Sequence, residues 1–249
     1  MKKFGLLGEK LSHSKSPDIH KIIFKELNIN GKYDLIETPP EDIEKYINEY
    51  DGLNVTIPYK ETVKPILKSL SKEAKSIGAV NTIYKQKGYN TDYFGFKKML
   101  NVKNIKVNNK ICVILGTGGA SKAVKYYLKN QDAKKVINVS RSKKGPNIIN
   151  YDELKNIDGD ILINATPVGM YPNIKESPVN SKIISKYKVA IDLIYNPLET
   201  LFLKIAKKNN LKYVNGLYML IGQAVKAQEI WNNIETDDKL IEKIYKKIK

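Results

Sequence analysis

Cysteine, arginine and long apolar runs are almost absent from this chain of 249 residues. A single cysteine, Cys112, excludes an intrachain disulfide, and its apolar neighbours predict that it lies in a buried strand. No stretch approaches the ~20 consecutive apolar residues that a membrane-spanning helix requires. The stretch FGLLG at 4–8 is too short for the apolar core of a secretory signal peptide. These absences, and the lack of any zinc-type spacing of Cys and His, predict a cytoplasmic protein without a membrane span or a metal site.

Basic residues outnumber acidic ones by 43 to 26, which gives a formal net charge of +17. Such a charge suggests a nucleic-acid partner, but proteins of that class concentrate basic residues on one face, often with arginine and aromatic side chains. Here the lysines are spread along the whole chain, and Arg141 is the only arginine. We therefore predict no nucleic-acid partner, and we expect the positive field to help capture an anionic substrate and cofactor.

An apolar stretch that leads into a glycine-rich turn, ICVILGTGGAS at 111–121, is the most informative segment. A strand, such a turn and then a helix form the βαβ unit whose backbone N–H groups and helix N-terminus bind the pyrophosphate of a dinucleotide. Gly116, Gly118 and Gly119 give the pattern G-x-G-G rather than the complete G-x-G-x-x-G. A strand-to-helix turn without a ligand is the alternative, and the residues after the next strand argue against it.

Arg141 follows that next predicted strand, VINV at 136–139, within Ser140-Arg141-Ser142. A dinucleotide fold that uses NAD tends to place an Asp or Glu here, where the carboxylate accepts from the ribose 2′-hydroxyl. No acidic residue is in reach, and the planar guanidinium of Arg141 is suited to a 2′-phosphate. The sequence therefore predicts NADP as the cofactor.

Short strands alternate with helices along the chain, which predicts an α/β protein. We predict two α/β domains with an active-site cleft between them: an N-terminal substrate domain and a Rossmann-like NADP-binding domain. The substrate domain spans 1–100 and is completed by C-terminal helices at 217–249, and the NADP-binding domain spans 101–216. Strands are predicted at 4–8, 33–38, 52–57, 111–115, 136–139, 160–164, 189–193 and 213–216, with a hairpin-like pair at 79–85 and 88–92. Helices are predicted at 16–28, 41–50, 94–100, 120–130, 199–208, 217–233 and 237–248, with a broken helix between 57 and 76.

Polar residues follow the first predicted strand, in LSHSKSPDIH at 11–20. Ser16 precedes Pro17, which is typical of a helix N-cap with proline at the first helical position, and a ligand-binding role is the equal alternative. Ser14 has no comparable structural explanation, which favours a ligand role. The two histidines, His13 and His20, are predicted to be ordinary polar residues of a loop and a helix.

Lys60 follows the predicted strand at 52–57 and stands at the start of a short helix that Pro65 is expected to end. A cation there opposes the helix dipole, which suits a lysine that exchanges a proton. A solvated lysine is the alternative. Asp92, in GYNTDYFG at 88–95, either caps the helix that follows or faces Lys60 as its acid–base partner.

Taken together, these segments resemble the shikimate dehydrogenase family over nearly the whole chain. The resemblance rests on motifs in family-like order and spacing: SHSKSP (12–17), NVTIPYK (54–60), GAVNT (78–82), NTDYFG (90–95), GTGGAS (116–121), NATPVGM (164–170), DLIYNP (192–197) and NGLYMLIGQA (215–224). It implies an oxidoreductase that interconverts 3-dehydroshikimate and shikimate with NADP, in the shikimate (chorismate) pathway of aromatic amino acid biosynthesis.

The resemblance also implies a role for each matching residue. Lys60 and Asp92 are the catalytic pair. The substrate carboxylate is bound by Ser14, Ser16 and Tyr195. The ring hydroxyls are bound by Thr56, Asn81 and Gln223. The pyrophosphate is bound by Gly116, Thr117, Gly118, Gly119 and Ala120, and the 2′-phosphate by Ser140, Arg141 and Ser142. Thr166 borders the cofactor, and the nicotinamide pocket is lined by Leu193 and Gly216.

Two alternatives remain open. A quinate/shikimate dehydrogenase accepts a broader set of substrates or NAD, and the family often has Asn where Ser140 stands, which weakens the NADP assignment but leaves Arg141 in place. A non-catalytic basic protein that binds nucleic acid is the second alternative, and the paired Lys60 and Asp92 argue against it. The sequence leaves the oligomeric state open, with a homodimer as one alternative to a monomer.

Overall fold

The computed structural model describes residues 1–11 and 14–248, and it divides the chain into two compact units. The first unit consists of Met1–Gly95 and Leu220–Lys249, and the second of Phe96–Met219. The boundaries predicted from the sequence fall after residues 100 and 216. The prediction for His13 lies outside the described residues. Among the helices that the structure describes, none is long and apolar enough to cross a membrane.

A mixed β-sheet forms the centre of the first unit. In the strand order β2-β1-β3-β5-β6-β4, β1 is parallel to β2 and β3, whereas β5 is antiparallel to β3 and β6. The strands are β1 (Lys2–Gly8), β2 (Gly31–Glu37), β3 (Gly52–Val55), β4 (Ser69–Leu70), β5 (Thr82–Tyr84) and β6 (Lys87–Tyr89). The helices are α1 (Ser16–Glu26), α2 (Ile43–Glu49), α3 (Lys72–Ile77) and α9 (Asp238–Ile248), with α4 (Asp92–Val102) and α8 (Leu217–Asn232) crossing the unit boundaries.

The second unit contains a parallel sheet in the order β12-β11-β10-β7-β8-β9. Its strands are β7 (Ile111–Leu115), β8 (Lys135–Val139), β9 (Ile148–Ile149), β10 (Ile161–Asn164), β11 (Val189–Asp192) and β12 (Lys212–Val214). The helices between them include α5 (Gly119–Asn130), α6 (Ser181–Ile184) and α7 (Leu201–Lys208). This is the strand order of the Rossmann fold, in which the direction of winding reverses between β7 and β10. Cys112 is buried in β7, as its apolar neighbours predict.

Trp231 of α8 joins the C-terminal segment to the sheet of the first unit. Its ring stacks on Phe4 with 4.8 Å between centroids, and its Nε1 donates to the carbonyl oxygen of Ile83 at 3.0 Å. Gly52 leaves the room for this ring, because a Cβ there would lie 2.4 Å from Trp231 Cδ1. Trp231 therefore forms part of the core of the first unit.

The broken helix predicted between 57 and 76 is wrong in its first part. Residues 57–63 form consecutive turns, followed by a 3₁₀ helix at Lys64–Ile66 and the short strand β4, and only α3 is α-helical. Pro65 accounts for part of the difference, since it lacks the N–H that an α-helix needs in its interior. The elements β4, β9 and α6 are too short to show a hydrophobic period, and the sequence did not predict them.

His20 lies on the inner face of α1, fully buried in the first unit. Its ring stacks on Tyr33 with 3.9 Å between centroids, and its Nδ1 forms a hydrogen bond with Gln228 Nε2 at 2.9 Å. Burial lowers the pKa of His20 from 6.5 to about 3, because the charged imidazolium would lose its hydration there. The histidine is thus a neutral core residue at physiological pH.

This burial makes the stability of the protein depend on pH. The unfolded chain protonates His20 near pH 6.5 and the folded chain only near pH 3, so stability is fully present above pH 6.5 and falls as the pH drops. The loss amounts to about 1.4 kcal/mol per pH unit. We expect His20→Gln to remove this contribution, so its unfolding free energy in urea should change less between neutral and mildly acidic pH. Identical changes in both proteins would contradict the assignment.

Candidate active site

The carboxyl ends of β1 and β3 lie side by side in the first unit, because the two strands are parallel neighbours. The segments that follow them leave the same edge of the sheet, and they carry the predicted Ser14, Ser16, Thr56 and Lys60. β5 is antiparallel to β3, with Thr82 opposite Asn54, so its first residues begin at that edge. Asn81 directly precedes β5 and joins the cluster.

Lys60 and Asp92 form an ion pair at this edge. The Lys60 Nζ donates to Asp92 Oδ2 at 2.6 Å, and the two side chains are only 15% and 9% exposed. The second carboxylate oxygen, Oδ1, accepts from Asn81 Nδ2 at 2.9 Å. Charges held this far from water need partners of their own, and each oxygen of Asp92 has one. The acid–base alternative for Asp92 therefore agrees with the geometry.

The turns after β3 hold Lys60 in place. Tyr59 is buried, and its hydroxyl donates to the carbonyl oxygen of Thr38 at 2.7 Å. The carbonyl oxygen of Lys60 accepts from the N–H of Val80 at 2.7 Å. Because this segment is not a helix, the expected opposition between Lys60 and a helix dipole is wrong. Tight turns anchored on both sides position the lysine instead.

The capping alternative for Asp92 is met by a different residue. The helix α4 begins at Asp92, and the N–H of Tyr93 donates to Asn90 Oδ1 at 3.4 Å. Asn90 is itself fixed, since its Nδ2 donates to the carbonyl oxygen of Ala79 at 2.9 Å. Asp92 is thereby left to Lys60 and Asn81.

A buried network of amides and hydroxyls surrounds the ion pair. Asn81 Oδ1 accepts from the N–H of Thr91 at 2.7 Å, and the hydroxyls of Thr82 and Thr91 lie 3.0 Å apart. The Thr91 hydroxyl reaches Gln223 Oε1 at 3.5 Å, which brings the predicted Gln223 of α8 to the same site. The predicted Lys60, Asp92, Asn81 and Gln223 are thus assembled within one unit.

Sequence reasoning missed Asn54, Thr82 and Thr91, which support this network. Asn54 Nδ2 donates to Thr82 Oγ1 at 3.1 Å, and Asn54 Oδ1 accepts from the Tyr33 hydroxyl at 2.8 Å. All three lie inside the motifs NVTIPYK, GAVNT and NTDYFG. For Asn54 the signal was a polar residue among the apolar residues of a predicted strand, because such a side chain needs partners inside the protein. Thr82 and Thr91 gave no comparable signal.

The structural role expected of Ser16, accepting a backbone N–H at the start of α1, belongs to Ser14. Ser16 is not an N-cap, because α1 begins at Ser16 itself and Lys15 occupies the cap position without a side-chain hydrogen bond. Instead Ser14 Oγ accepts from the N–H of Ser16 at 3.2 Å. Ser16 is buried, whereas Ser14 and Thr56 are half-buried at the strand ends. Binding of the substrate carboxylate by the two serines stays a prediction.

Gly116 directly follows β7 and opens the glycine-rich turn of the second unit. Its φ of +107° is open to glycine at little cost, and a Cβ there would lie 3.0 Å from the carbonyl oxygen of Ala165. The Gly116 carbonyl oxygen accepts from Ser121 Oγ at 2.8 Å and from Asn138 Nδ2 at 2.9 Å. These bonds fix the turn against both α5 and β8.

The N-terminus of α5 lies in this turn and has the properties of an anion site. Gly118 occupies the cap position in an extended conformation and forms no side-chain cap hydrogen bond. A Cβ on Gly118 would meet nothing within 4 Å. The helix therefore begins without a side-chain cap from Gly118 and beside open space, which suits the binding of a phosphate group by its first N–H groups.

Ser140 shapes the loop that carries Arg141. Its Oγ accepts from the N–H groups of Ser142 at 3.3 Å and Lys143 at 2.9 Å. Ser140 is buried, whereas Arg141 and Ser142 are exposed just after β8. The structure thus places the arginine beyond the second strand of the βαβ unit, where a 2′-phosphate is expected.

Three further predicted cofactor residues follow β10, β11 and β12. Thr166 borders the glycine turn, since a Cβ on Gly116 would lie 3.2 Å from its Cγ2. Gly216 touches Leu193, because a Cβ on Gly216 would lie 2.0 Å from the Leu193 carbonyl oxygen. Tyr195, two residues after Leu193, is half-buried. It belongs to the second unit, and its role at the substrate carboxylate stays a prediction.

The second unit belongs to the class of Rossmann-type dinucleotide-binding folds. A glycine turn and an uncapped helix lie at the carboxyl end of β7, beside the point where the strand order reverses. The predicted α/β class with a Rossmann-like unit is therefore confirmed. Among the described residues, no group of three or more His, Cys, Asp or Glu side chains could hold a metal ion.

Comparisons with known proteins agree with this class. Residues 6–83 match the family described as the shikimate dehydrogenase substrate binding domain. The chain is 49% identical to shikimate dehydrogenase (NADP(+)) of Clostridium perfringens, covering 100% of this chain and 99% of the relative. It is 50% identical to the crystal structure of shikimate dehydrogenase 1 from Peptoclostridium difficile, with a TM-score of 0.93 over 99% of this chain and 97% of that one.

A third comparison includes bound ligands. Shikimate 5-dehydrogenase of Thermus thermophilus, solved in complex with NADP(H) and shikimate, is 31% identical with a TM-score of 0.88 over 99% of both chains. This chain belongs to the shikimate dehydrogenase family. The family resemblance drawn from the sequence motifs is thus confirmed.

Proposed function

We propose that this protein is an NADP-dependent shikimate dehydrogenase, which reduces 3-dehydroshikimate reversibly to shikimate. The observation that carries the proposal is the 2.6 Å contact between Lys60 Nζ and Asp92 Oδ2, set among amides and hydroxyls in motifs of the family. The relatives described above, named for this activity, support it. The reaction belongs to the shikimate pathway of aromatic amino acid biosynthesis.

The polar side chains around the ion pair suit a small cyclic substrate with several hydroxyls. Asn81 and Gln223 present amides, and Thr56 presents a hydroxyl at the neighbouring strand end. A site built to bond hydroxyl groups rejects analogues that lack them, because its own buried polar groups are then left unpaired. This argument supports a polyhydroxylated ring over an apolar one.

Lys60 is the group that moves the proton. As an ammonium it donates from Nζ to the carbonyl oxygen of the substrate during reduction, and as a neutral amine it accepts that proton in the reverse direction. Asp92 holds Nζ through Oδ2 and is itself fixed through Oδ1 by Asn81. Each oxygen of a carboxylate can accept more than one hydrogen bond, so Asp92 can also accept from a neighbouring substrate hydroxyl.

The second unit fits the cofactor. The uncapped N-terminus of α5 would hold the pyrophosphate, and Arg141 would bind the 2′-phosphate. When bound, NADPH supplies the hydride for the reduction. Thr166, Leu193 and Gly216 would shape the surface that receives its nicotinamide end. The open space at Gly118 suits the pyrophosphate that NAD and NADP share. Arg141, with no acidic residue in the sequence 139–145, supports NADP over NAD.

The activity is tested by following NADP⁺ reduction in the presence of shikimate. The assay is then repeated with quinate in place of shikimate and with NAD⁺ in place of NADP⁺. Rapid reduction with shikimate and NADP⁺ alone is the expected result. Comparable rates with quinate or with NAD⁺ would instead favour the broader quinate/shikimate dehydrogenase. No reduction with any pair would overturn the proposed function.

The role of Lys60 predicts a specific loss in Lys60→Ala. Without the proton donor, the turnover number should fall about 10²–10⁴-fold, which is the usual worth of general acid–base help. NADPH binding, measured by fluorescence titration, should stay close to that of the wild type. Lys64→Ala, which removes a lysine from the same loop, is the matched control and should retain activity. Near-normal turnover in Lys60→Ala would exclude the lysine from the mechanism.

The role of Arg141 predicts a change in cofactor preference. Arg141→Ala loses one or two charge-assisted hydrogen bonds to the 2′-phosphate, which should raise the Michaelis constant for NADP⁺ about tenfold to several-hundred-fold. Use of NAD⁺, which lacks that phosphate, should barely change. Lys134→Ala removes an equal charge before β8, at its other end, and serves as the control. Equal effects on both cofactors in Arg141→Ala would contradict the assignment.

A nucleic-acid-binding protein is the alternative from a different class. The dispersed lysines and the buried Lys60–Asp92 pair support an enzyme instead, and steeply salt-dependent binding of duplex DNA would favour the alternative. We infer a small-molecule substrate as the main partner. The cytoplasmic location stays a prediction of the sequence. A homodimer stays the alternative to a monomer.

A further inference from the structure

We propose that Asp192 is a positioning residue that holds together the three backbone segments facing the nicotinamide end of the cofactor. The inference rests on the proposed function, which supplies the cofactor. Asp192 is the last residue of β11 and is fully buried, and no chemical step described above uses it. A buried carboxylate outside the reaction requires a reason for its place in the fold.

Three donors from different elements converge on this carboxylate. Oδ2 accepts from the hydroxyl of Thr200 at 2.6 Å, and Oδ1 accepts from Asn164 Nδ2 at 3.1 Å and from the N–H of Ile194 at 3.0 Å. Thr200 caps α7, because its Oγ1 also accepts from the N–H of Leu203 at 3.3 Å. Burial raises the pKa of Asp192 to about 7, and the three donors oppose that rise.

Asn164 extends the influence of Asp192 to the turn after β10. Its Oδ1 accepts from both the N–H and the hydroxyl of Thr166, at 3.0 and 2.7 Å. Its Nδ2, besides reaching Asp192, donates to the carbonyl oxygen of Val168 at 3.3 Å. Asp192 and the Val168 carbonyl oxygen both accept from Nδ2, so Asp192 helps to fix the orientation of the Asn164 amide. Through this amide, Asp192 helps to hold the turn that carries Thr166.

Ile194 extends the same influence to the ends of β11 and β12. Its N–H is held by Asp192, and its carbonyl oxygen accepts from the N–H of Gly216 at 2.9 Å. Leu193 lies between Asp192 and Ile194 in the sequence, and its N–H donates to the carbonyl oxygen of Asn164 at 2.9 Å. Gly216 in turn contacts the Leu193 backbone so closely that no side chain fits. One carboxylate thus fixes the relative positions of Thr166, Leu193 and Gly216.

The proposal predicts that loss of Asp192 weakens only the nicotinamide half of cofactor binding. The probes are NADPH and adenosine 2′,5′-bisphosphate, which carries the adenosine and both phosphates but no nicotinamide. For Asp192→Ala we expect the dissociation constant of NADPH to rise about tenfold or more, because unpaired donors let the three segments shift. Binding of adenosine 2′,5′-bisphosphate should stay within about twofold, because its site lies at Gly118 and Arg141.

The conservative variant Asp192→Asn tests whether shape suffices. Its amide oxygen can still accept from Asn164 and Ile194, and its NH₂ can donate to Thr200, so NADPH binding should return to within about threefold of the wild type. Asn-variant binding as weak as that of Asp192→Ala would overturn the positioning role. Equal weakening of both probes in Asp192→Ala, or weakening of neither, would also overturn it.

Thr200→Val gives a second test if Asp192→Ala does not fold. It removes one of the three donors and should weaken NADPH binding about threefold to tenfold, without affecting adenosine 2′,5′-bisphosphate. Asn180→Ala is the matched control, because it removes a helix cap from α6 in the same unit, away from Asp192. Unchanged NADPH binding in Thr200→Val, or an equal loss in Asn180→Ala, would count against the proposal. These titrations measure binding and need no turnover. A wild-type protein that does not oxidise shikimate would therefore refute the proposed function without deciding the role of Asp192.

Discussion

A carboxylate removed from water must receive its hydrogen-bond donors from the protein, and this constraint organises both units. Losing hydration costs a buried ion several kcal/mol unless partners replace the water. Asp92 finds them in Lys60 and Asn81, and Asp192 finds them in Thr200, Asn164 and the backbone of Ile194. Each set of donors comes from separate segments of the chain, so satisfying the carboxylate fixes those segments relative to one another.

The two carboxylates are both stabilised by hydrogen-bond donors, but they order different parts of the protein. Around Asp92 the ordered groups are side chains, and they are the ones that would touch the substrate. Around Asp192 the ordered groups are backbone segments, and the carboxylate itself stays behind them. This difference suits the two ligands, because a polyhydroxylated ring is recognised by amides and hydroxyls, whereas a dinucleotide is received largely by main-chain turns.

The sequence predicted the central strands of both units well, because strands such as β7 and β10 are continuous apolar runs that end at polar or glycine residues. It also predicted the pairing of Lys60 with Asp92 and the recruitment of Gln223, through family motifs. It failed where the outcome depended on local competition. Ser16 looked like a cap, but the hydroxyl that accepts a backbone N–H at the start of α1 belongs to Ser14. The buried partners Asn54 and Asp192 lie inside recognised motifs, but their bonds depend on which strands become neighbours, and that is a tertiary property.

The discontinuous make-up of the first unit has a consequence for biosynthesis. Phe4, at the beginning of the chain, stacks on Trp231, which the ribosome adds near the end. The second unit is continuous in sequence, from Phe96 to Met219, so all of its strands leave the ribosome before α8 does. Domains generally fold as units during synthesis. The second unit can therefore fold first, whereas the first unit, which carries Lys60 and Asp92, keeps part of its apolar sheet uncovered until α8 has left the ribosome.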